Sequence, residues 1–297
     1  MSEYIKEDSI LSICKLRLSE KKLFGRSSEV SQLLNVYEGI TNENQSKPPG
    51  IVILCGESGA GKTAIAKQLQ LPVTKGGGYF ISGKFNVNRR IEPYTALIAA
   101  FTELSDNISH NIHALFRLKV DIQNAVGAQG KVLTDVIPSL QRIINDKGDA
   151  IDVSSLETGN RFNYVLRNFV RAICRPCHPV VLFLDDIQWA DQASLEVIRT
   201  LLMDKENSSL LIIGSYRSDE VDADHPVATM LDSVQNEKVE ITKINVGNLS
   251  VDAVNYMISD LLCESIDVVD SLAKTVHHKT HGNVFYVIQF LMALQDE

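Results

Sequence analysis

Two hydrophobic periods alternate along this chain. Apolar residues crowd into short, strand-length runs at Ile51–Cys55, Tyr79–Phe85, Val180–Leu184, Leu210–Gly214 and Val239–Val246. Between these runs they recur with helical spacing. Thr63–Leu71 follows the first run, and Gln192–Met203 follows the third with Leu195, Ile198, Leu201 and Leu202 on one face. Strand and helix in alternation predict an α/β fold, a five-stranded parallel sheet wrapped by helices. A long insertion, about residues 93–174, separates the second run from the third. It reads as four helices: Tyr94–Leu104, Ile112–Val126, Val132–Ile144 and Gly159–Ile173. After the fifth run, Ser250–Leu262 and Val268–Lys279 read as helices of a small lid. The polar, Pro-containing stretch Asn42–Gly50 predicts a loop.

Composition narrows the class of protein without deciding it. With 297 residues, 44% hydrophobic and 22% charged, the chain is ordinary for a globular protein. The net charge of −8 argues against a broad nucleic-acid footprint. No apolar run approaches the roughly 18 residues of a membrane span, and the opening MSEYIKEDSILSICKLRLSE lacks a signal-peptide core. The five cysteines show no framework spacing and are expected to be reduced thiols. Together these features predict a soluble cytoplasmic protein. Two metal-like patterns yield to plainer readings. Cys174-Arg-Pro-Cys177-His178 matches a haem-attachment string but runs straight into a strand, so it reads as a helix end and a turn. His277 and His281 have helical i, i+4 spacing but no evident third ligand, and read as surface residues.

The stretch between the first strand and its helix carries the chemistry. Gly56-Glu57-Ser58-Gly59-Ala60-Gly61-Lys62-Thr63, followed by Ala64, satisfies G-x-x-x-x-G-K-[ST] in full. Glycines let successive backbone N–H groups face one concavity, and the start of a helix adds positive potential, so the loop is a phosphate cradle. Lys62 is expected to reach the β- and γ-phosphates and the Thr63 hydroxyl to ligate Mg²⁺. A second acidic element completes such a site. Asp185 and Asp186 end the apolar run VVLFL, and Asp185 is expected to hold Mg²⁺.

These stretches resemble a known family. LFGRSSEVSQLL at Leu23–Leu34, the cradle, VLFLDDIQWADQASLEVI at Val181–Ile198, LLIIGSYRSDEV at Leu210–Val221 and KTHGNVFYVIQFLMAL at Lys279–Leu294 occur in the order of the AAA ATPase module of STAND-type signalling proteins, which is related to the origin-recognition AAA group. GKFNVNRRIEPYTALIAAF, Gly83–Phe101, is similar to versions fused to signalling kinases. The resemblance implies a P-loop, AAA-like fold that binds ATP or ADP with Mg²⁺. It also implies that Gly25, Arg26 and Glu29 form a box beside the adenine, and that Arg217, just past the fourth strand, senses the γ-phosphate. Asp186 sits where similar ATPases place the carboxylate that orients the attacking water, and the resemblance implies slow hydrolysis, because Asp is one methylene shorter than the Glu commoner there. Trp189 is expected to be a packed aromatic and Asp191 a helix cap. The family's Gly-Asn-Pro near the lid end is here Gly282-Asn283-Val284, which puts the lid's contact with nucleotide in question.

The expected division is an N-terminal extension at 1–22, a nucleotide-binding domain at 23–247, and at 248–297 the lid with the start of a further helical domain. A slow nucleotide switch in a signalling or regulatory protein is the leading function, with protein partners or fused signalling domains. A non-hydrolysing scaffold and an origin-type DNA-associated ATPase are the alternatives. In the last segment Val284, Val287, Ile288, Leu291 and Leu294 share one face, with Phe285 and Phe290 beside it. A stripe that wide predicts an apolar patch needing a partner, on a module cut from a longer polypeptide.

Overall fold

The computed structural model describes residues 22–41, 49–87, 92–144, 155–207 and 209–295. The expected extension, Lys22 excepted, and most of the expected loop at 42–50 lie outside the described residues, and Gly50 already opens the first strand. Five parallel strands form one sheet in the order β2-β3-β4-β1-β5. They are β1 Gly50–Gly56, β2 Tyr79–Lys84, β3 Val180–Asp185, β4 Leu210–Arg217 and β5 Ile241–Asn245. All five expected strands are present. β4 runs three residues further than expected, so Arg217 is its last residue rather than a residue beyond it.

The two-residue period of a strand explains how one sheet serves two cores. Ile51, Ile53 and Cys55 of β1, Val180, Leu182 and Leu184 of β3, and Leu210 and Ile212 of β4 face one core. Val52, Leu54, Val181, Phe183, Leu211 and Ile213 face the other. β3 is buried at every position, which is why it reads as an unbroken apolar run. The second core is closed by α1 (Ser27–Thr41) and α2 (Lys62–Ala66). The first is closed by α4 (Thr95–His110), α5 (Ile112–Val126), α6 (Gly130–Val136), α7 (Ser155–Ile173), α8 (Gln192–Leu202) and α9 (Pro226–Asn236).

Prolines account for the two largest departures from the expected helices. The expected helix Thr63–Leu71 is instead α2, a 3₁₀ turn at Lys67–Leu69, and α3 (Gln70–Lys75). Pro72 has no N–H to return to the Gln68 carbonyl, so the α ladder breaks one turn before it. The expected helix Val132–Ile144 ends at Val136. Ile137, forced out of the helical region by Pro138, has φ −124° and ψ 82°, and the chain resumes as a 3₁₀ turn at Pro138–Arg142.

Three further helices, α10 (Val251–Leu262), α11 (Ile266–Thr280) and α12 (Val284–Gln295), form a third core around Val254, Ile258, Ala273, Val276 and Val287. α12 packs by its expected face as far as Leu291, with Val284 and Ile288 half-buried against this core. Val287 and Leu291 are buried in this core, whereas Leu294, Phe285, Tyr286 and Met292 are exposed. Among the described residues no helix is long and apolar enough to cross a membrane.

Candidate functional site: a phosphate loop under a helical lid

The loop Gly56–Gly61 leaves the C-terminal end of β1, between β4 and β5. Gly59 and Gly61 have φ of 78° and 96°, left-handed values that suit glycine, and they turn the backbone directly into α2. Gly56 is required for space as well: a Cβ there would lie 2.1 Å from the Val246 carbonyl oxygen. Lys62 is buried, and its Nζ donates to the Gly56 and Glu57 carbonyls, each at 2.8 Å. Burial pulls the Lys62 pKa below its ordinary value, against the pull of Asp186 and Asp185 in the other direction.

β3 ends beside this loop and delivers both acids. The Thr63 hydroxyl donates to Asp185 Oδ2 at 3.0 Å, so the cradle and the acidic strand end meet as two hard oxygen donors of the kind Mg²⁺ takes. Asp185 Oδ1 accepts from the Ser215 hydroxyl. Asp186 takes a left-handed backbone, φ 55° and ψ 47°, which turns its side chain back across the sheet end. Its N–H donates to Ser215 Oγ at 3.2 Å, and Gln188 Nε2 donates to its Oδ1 at 3.2 Å.

Two further cations face this pair. Arg217 Nε lies 3.8 Å from Asp186 Oδ1, and its Nη1 pairs with Glu220 at 2.8 Å. Its guanidinium stands 4.7 Å from the centre of the Trp189 ring, which holds it in place by cation–π attraction. Lys84, the last residue of β2, reaches Asp186 Oδ2 at 2.8 Å and Asp185 Oδ2 at 3.5 Å. Partial burial works against the Lys84 charge, but the hydrogen bond to Asp186 and the two carboxylates outweigh it, and its pKa is raised.

The structure therefore brings Lys62, Thr63, Asp185, Asp186 and Arg217 together, as expected, and adds Lys84 and Ser215. Ser215 gave no signal, because the expected fourth strand ended at Gly214, one residue before it. Lys84 had none, because its role depends on which strand lies beside β3. Asp191 caps α8 as expected, its Oδ1 accepting from the Ser194 N–H at 2.8 Å.

Beside the loop opens a cleft of about 540 Å³, within the range that holds a small ligand. Ala60, Gly61, Thr63 and Ala64 line one side; Met257, Leu261, Val284 and Ile288 from the helical lid line the other; Phe24 and Arg26 close the end. Arg26 is a buried staple. It pairs with Glu29 at 3.0 Å and donates to the carbonyls of Ala60 at 2.9 Å and Gly247 at 2.5 Å, tying α1, the loop and the segment after β5. Gly25 acts behind the cleft, where its missing side chain admits Ala253 of α10. Glu57 and Ser58 contribute backbone: the Glu57 carbonyl accepts from Lys62, and the Ser58 carbonyl accepts from the lid.

The lid meets the phosphate loop through the segment Gly282-Asn283-Val284. Asn283 Nδ2 donates to the Ser58 carbonyl at 2.8 Å, and the Phe285 N–H points to the Gly59 carbonyl at 3.2 Å. The lid thus seats on the crest of the phosphate loop without a proline, and Val284 lines the cleft. Neither metal-like string forms a site. Cys174 is buried at the end of α7, its thiol pKa raised by burial, and His178 Nδ1 sits 2.9 Å from the Gly77 carbonyl. His277 Nε2 sits 3.1 Å from the Leu249 carbonyl, and His281 ends α11 with φ 51°.

A parallel sheet with a G-x-x-x-x-G-K-T loop at the end of its β1 strand and an acid at the end of β3 defines a P-loop nucleotide-binding fold. Residues 22–213 match the AAA ATPase domain family, and the chain belongs to it. The chain is 27% identical over 341 residues to hybrid signal transduction histidine kinase G of Dictyostelium discoideum; the match covers 93% of this chain and 10% of that protein. Among solved structures, it is similar to the Orc1 protein of Aeropyrum pernix, determined in complex with DNA, with a TM-score of 0.50 and 15% identity over 93% of this chain and 60% of that one. Cdc6p of Pyrobaculum aerophilum gives a TM-score of 0.49 and 16% identity over 90% and 58%.

Proposed function

We propose that this chain is a nucleotide-dependent switch module that binds ATP or ADP with Mg²⁺ and hydrolyses ATP slowly. One observation carries the reading. The loop that would hold the phosphates is hydrogen-bonded to the lid through Ser58–Asn283 and Gly59–Phe285, so a change at the phosphates acts on the lid directly. Lys62 would face the β- and γ-phosphates, Thr63 and Asp185 would hold Mg²⁺, and Arg217 would sense the γ-phosphate. When bound, the metal would neutralise charge developing on the phosphates. Asp186 would accept a hydrogen bond from the attacking water.

The histidine kinase relative supports a place within a signalling or regulatory polypeptide, with protein partners or fused domains. We take 23–247 as the nucleotide-binding domain and 248–297 as the lid and the start of a further helical domain. Free thiols at Cys55, Cys174, Cys177 and Cys263 support a cytoplasmic setting. The acidic charge argues against nucleic acid as the main partner, and a salt-dependent DNA-binding titration tests that point. Steady-state turnover tests the main reading. We expect a rate below about 1 s⁻¹, the lower end of the kinase range, abolished by Asp186→Asn with ADP binding retained. A fast rate that survives Asp186→Asn would overturn the mechanism.

A second reading has its own observation. Asp186 is already engaged by Lys84, Gln188 and Arg217, which favours a scaffold that binds nucleotide without hydrolysing it. No turnover in the wild type, with ADP and ATP both bound, would establish that reading.

A further inference from the structure

Three cations surround the acid pair at the end of β3, and they are held differently. Lys62 is buried and donates to two carbonyls of its own loop. Arg217 is fixed between the Trp189 ring and Glu220. Lys84 has neither restraint. The parallel register of β2 against β3 sets it directly beside Asp185. Its side chain is 57% exposed, while those of Asp185 and Asp186 are 10% and 9% exposed. The ammonium therefore enters the acid pair from solvent, on a flexible four-carbon stem, and can leave at small cost.

We propose that Lys84 is a tethered counter-cation that occupies the carboxylate oxygens a divalent ion would use, so that metal binding at this site displaces it. The proposal rests on the reading of Asp185 as the metal's carboxylate. Asp185 Oδ2 is the oxygen that the Thr63 hydroxyl and the Lys84 ammonium both approach, at 3.0 Å and 3.5 Å. An ammonium and a divalent ion compete for that oxygen, because their charges repel and its lone pairs are already approached by the Thr63 hydroxyl and the Lys84 ammonium. Divalent affinity is thereby set lower than the oxygen ligands alone would give, since each binding event breaks the Lys84 contacts.

Mn²⁺ is a suitable probe, followed by the electron paramagnetic resonance of the free ion in the presence of ADP. Lys84→Met should tighten Mn²⁺ binding by about three- to fivefold, the upper end of the range of a partly exposed ion pair. Lys84→Arg, which keeps the charge, should stay within about twofold of wild type. ADP affinity measured in chelator should be unchanged by either substitution, and the exposure of Lys84 favours intact folding of both variants. Unchanged or weaker Mn²⁺ binding in Lys84→Met would overturn the displacement, as would an equal tightening of ADP in chelator. Asp185→Asn separates the metal site from the displacement. If it weakens Mn²⁺ while Lys84→Met has no effect, the metal site stands and the displacement alone fails. If it leaves Mn²⁺ unchanged, the metal site reading fails and the displacement with it.

Discussion

The acid pair at the phosphate loop and the lid wall of the cleft beside it are built on opposite principles. On the phosphate side nearly every group is polar, buried and bonded: Lys62 to two carbonyls, Asp185 to Thr63 and Ser215, Asp186 to Ser215 and Gln188. On the lid side the lining is Met257, Leu261, Val284 and Ile288, side chains with no hydrogen-bond donor to direct them, with Asp260 alone charged at the mouth. Directional bonds fix a geometry and punish its loss; apolar contacts fix only an approximate separation. The phosphate side is thus suited to hold one arrangement, and the lid side to move against it. Substitutions at four points probe that difference.

Gly25→Ala should have the largest effect, and on the lid side alone. Gly25 has φ 61°, and an added Cβ would lie 2.6 Å from the Ala253 Cβ on α10. Left-handed strain costs about 1–2 kcal/mol and overpacking about 1–3 kcal/mol. Chemical denaturation should show a loss of about 2–4 kcal/mol, with weakened ADP binding. Pyrophosphate, which needs only the phosphate side, should still bind. Equal loss of both ligands would mean that the two walls are one unit.

Lys62→Ala makes the reverse cut. Removing a buried charge-assisted donor should cost about 1.5–3 kcal/mol of ADP affinity, roughly tenfold to a hundredfold by titration calorimetry. A change within about threefold would remove Lys62 from phosphate binding. The pH response sharpens the point. Burial lowers the Lys62 pKa in the folded chain from its usual 10.5, so the unfolded chain holds that proton more tightly. The contribution of Lys62 to the stability of the nucleotide-free protein therefore rises as pH climbs from the folded pKa toward 10.5, opposed by Tyr37, Tyr79, Tyr94 and Lys84, whose pKa values are raised in the fold. Bound phosphate favours the charged lysine, so the melting shift produced by ADP should shrink over the same window. Lys62→Met should erase both trends.

How much of this could be read from the sequence obeys the same division. Lys62, Thr63, Asp185 and Asp186 were legible because they sit at fixed offsets from strand ends, and a strand end is a local event. The sheet was legible because apolar runs mark strands. Lys84, Ser215 and Asn283 were not assigned, since each acts through a neighbour far off in sequence: Asp186, Asp185 and Ser58. α12 was legible in part. Its periodicity marked a broad apolar face, but only the packing of α10 and α11 decides that Val287 and Leu291 are covered and Phe285 and Leu294 are not. The proline breaks at Pro72 and Pro138 were legible in principle, because a missing N–H is a local fact.

Asn283→Ala cuts the bridge between the walls. Its amide is buried, donates to the Ser58 carbonyl at 2.8 Å and accepts from the Phe285 N–H at 3.2 Å. Loss of these bonds should destabilise the chain by about 1–2 kcal/mol and speed ADP release in stopped-flow measurements. Asn283→Asp keeps the acceptor for Phe285 but loses the donor to Ser58. If release is as slow in Asn283→Asp as in wild type, the Ser58 contact does not hold the lid.

The smallest effect is expected at the mouth of the cleft. Lys22 pairs with Asp260 of α10, and its ammonium also stands 5.3 Å from the centre of the Phe24 ring. Both partners are about half exposed, with side-chain exposures of 53% and 44%. An ion pair so open to water contributes about 0–1 kcal/mol and is screened by salt. Asp260→Asn should therefore speed ADP release by no more than about fivefold, and added salt should speed wild-type release toward the variant's rate while barely changing the variant. The charge-reversed pair, Lys22→Asp with Asp260→Lys, should restore slow release in low salt if the contact acts as a latch across the mouth. Release that ignores salt and both substitutions would show that the lid is held by Asn283 and the apolar lining alone. The comparison would then be sharper still: one polar clamp at the phosphates, and nothing but apolar contact from there to the mouth.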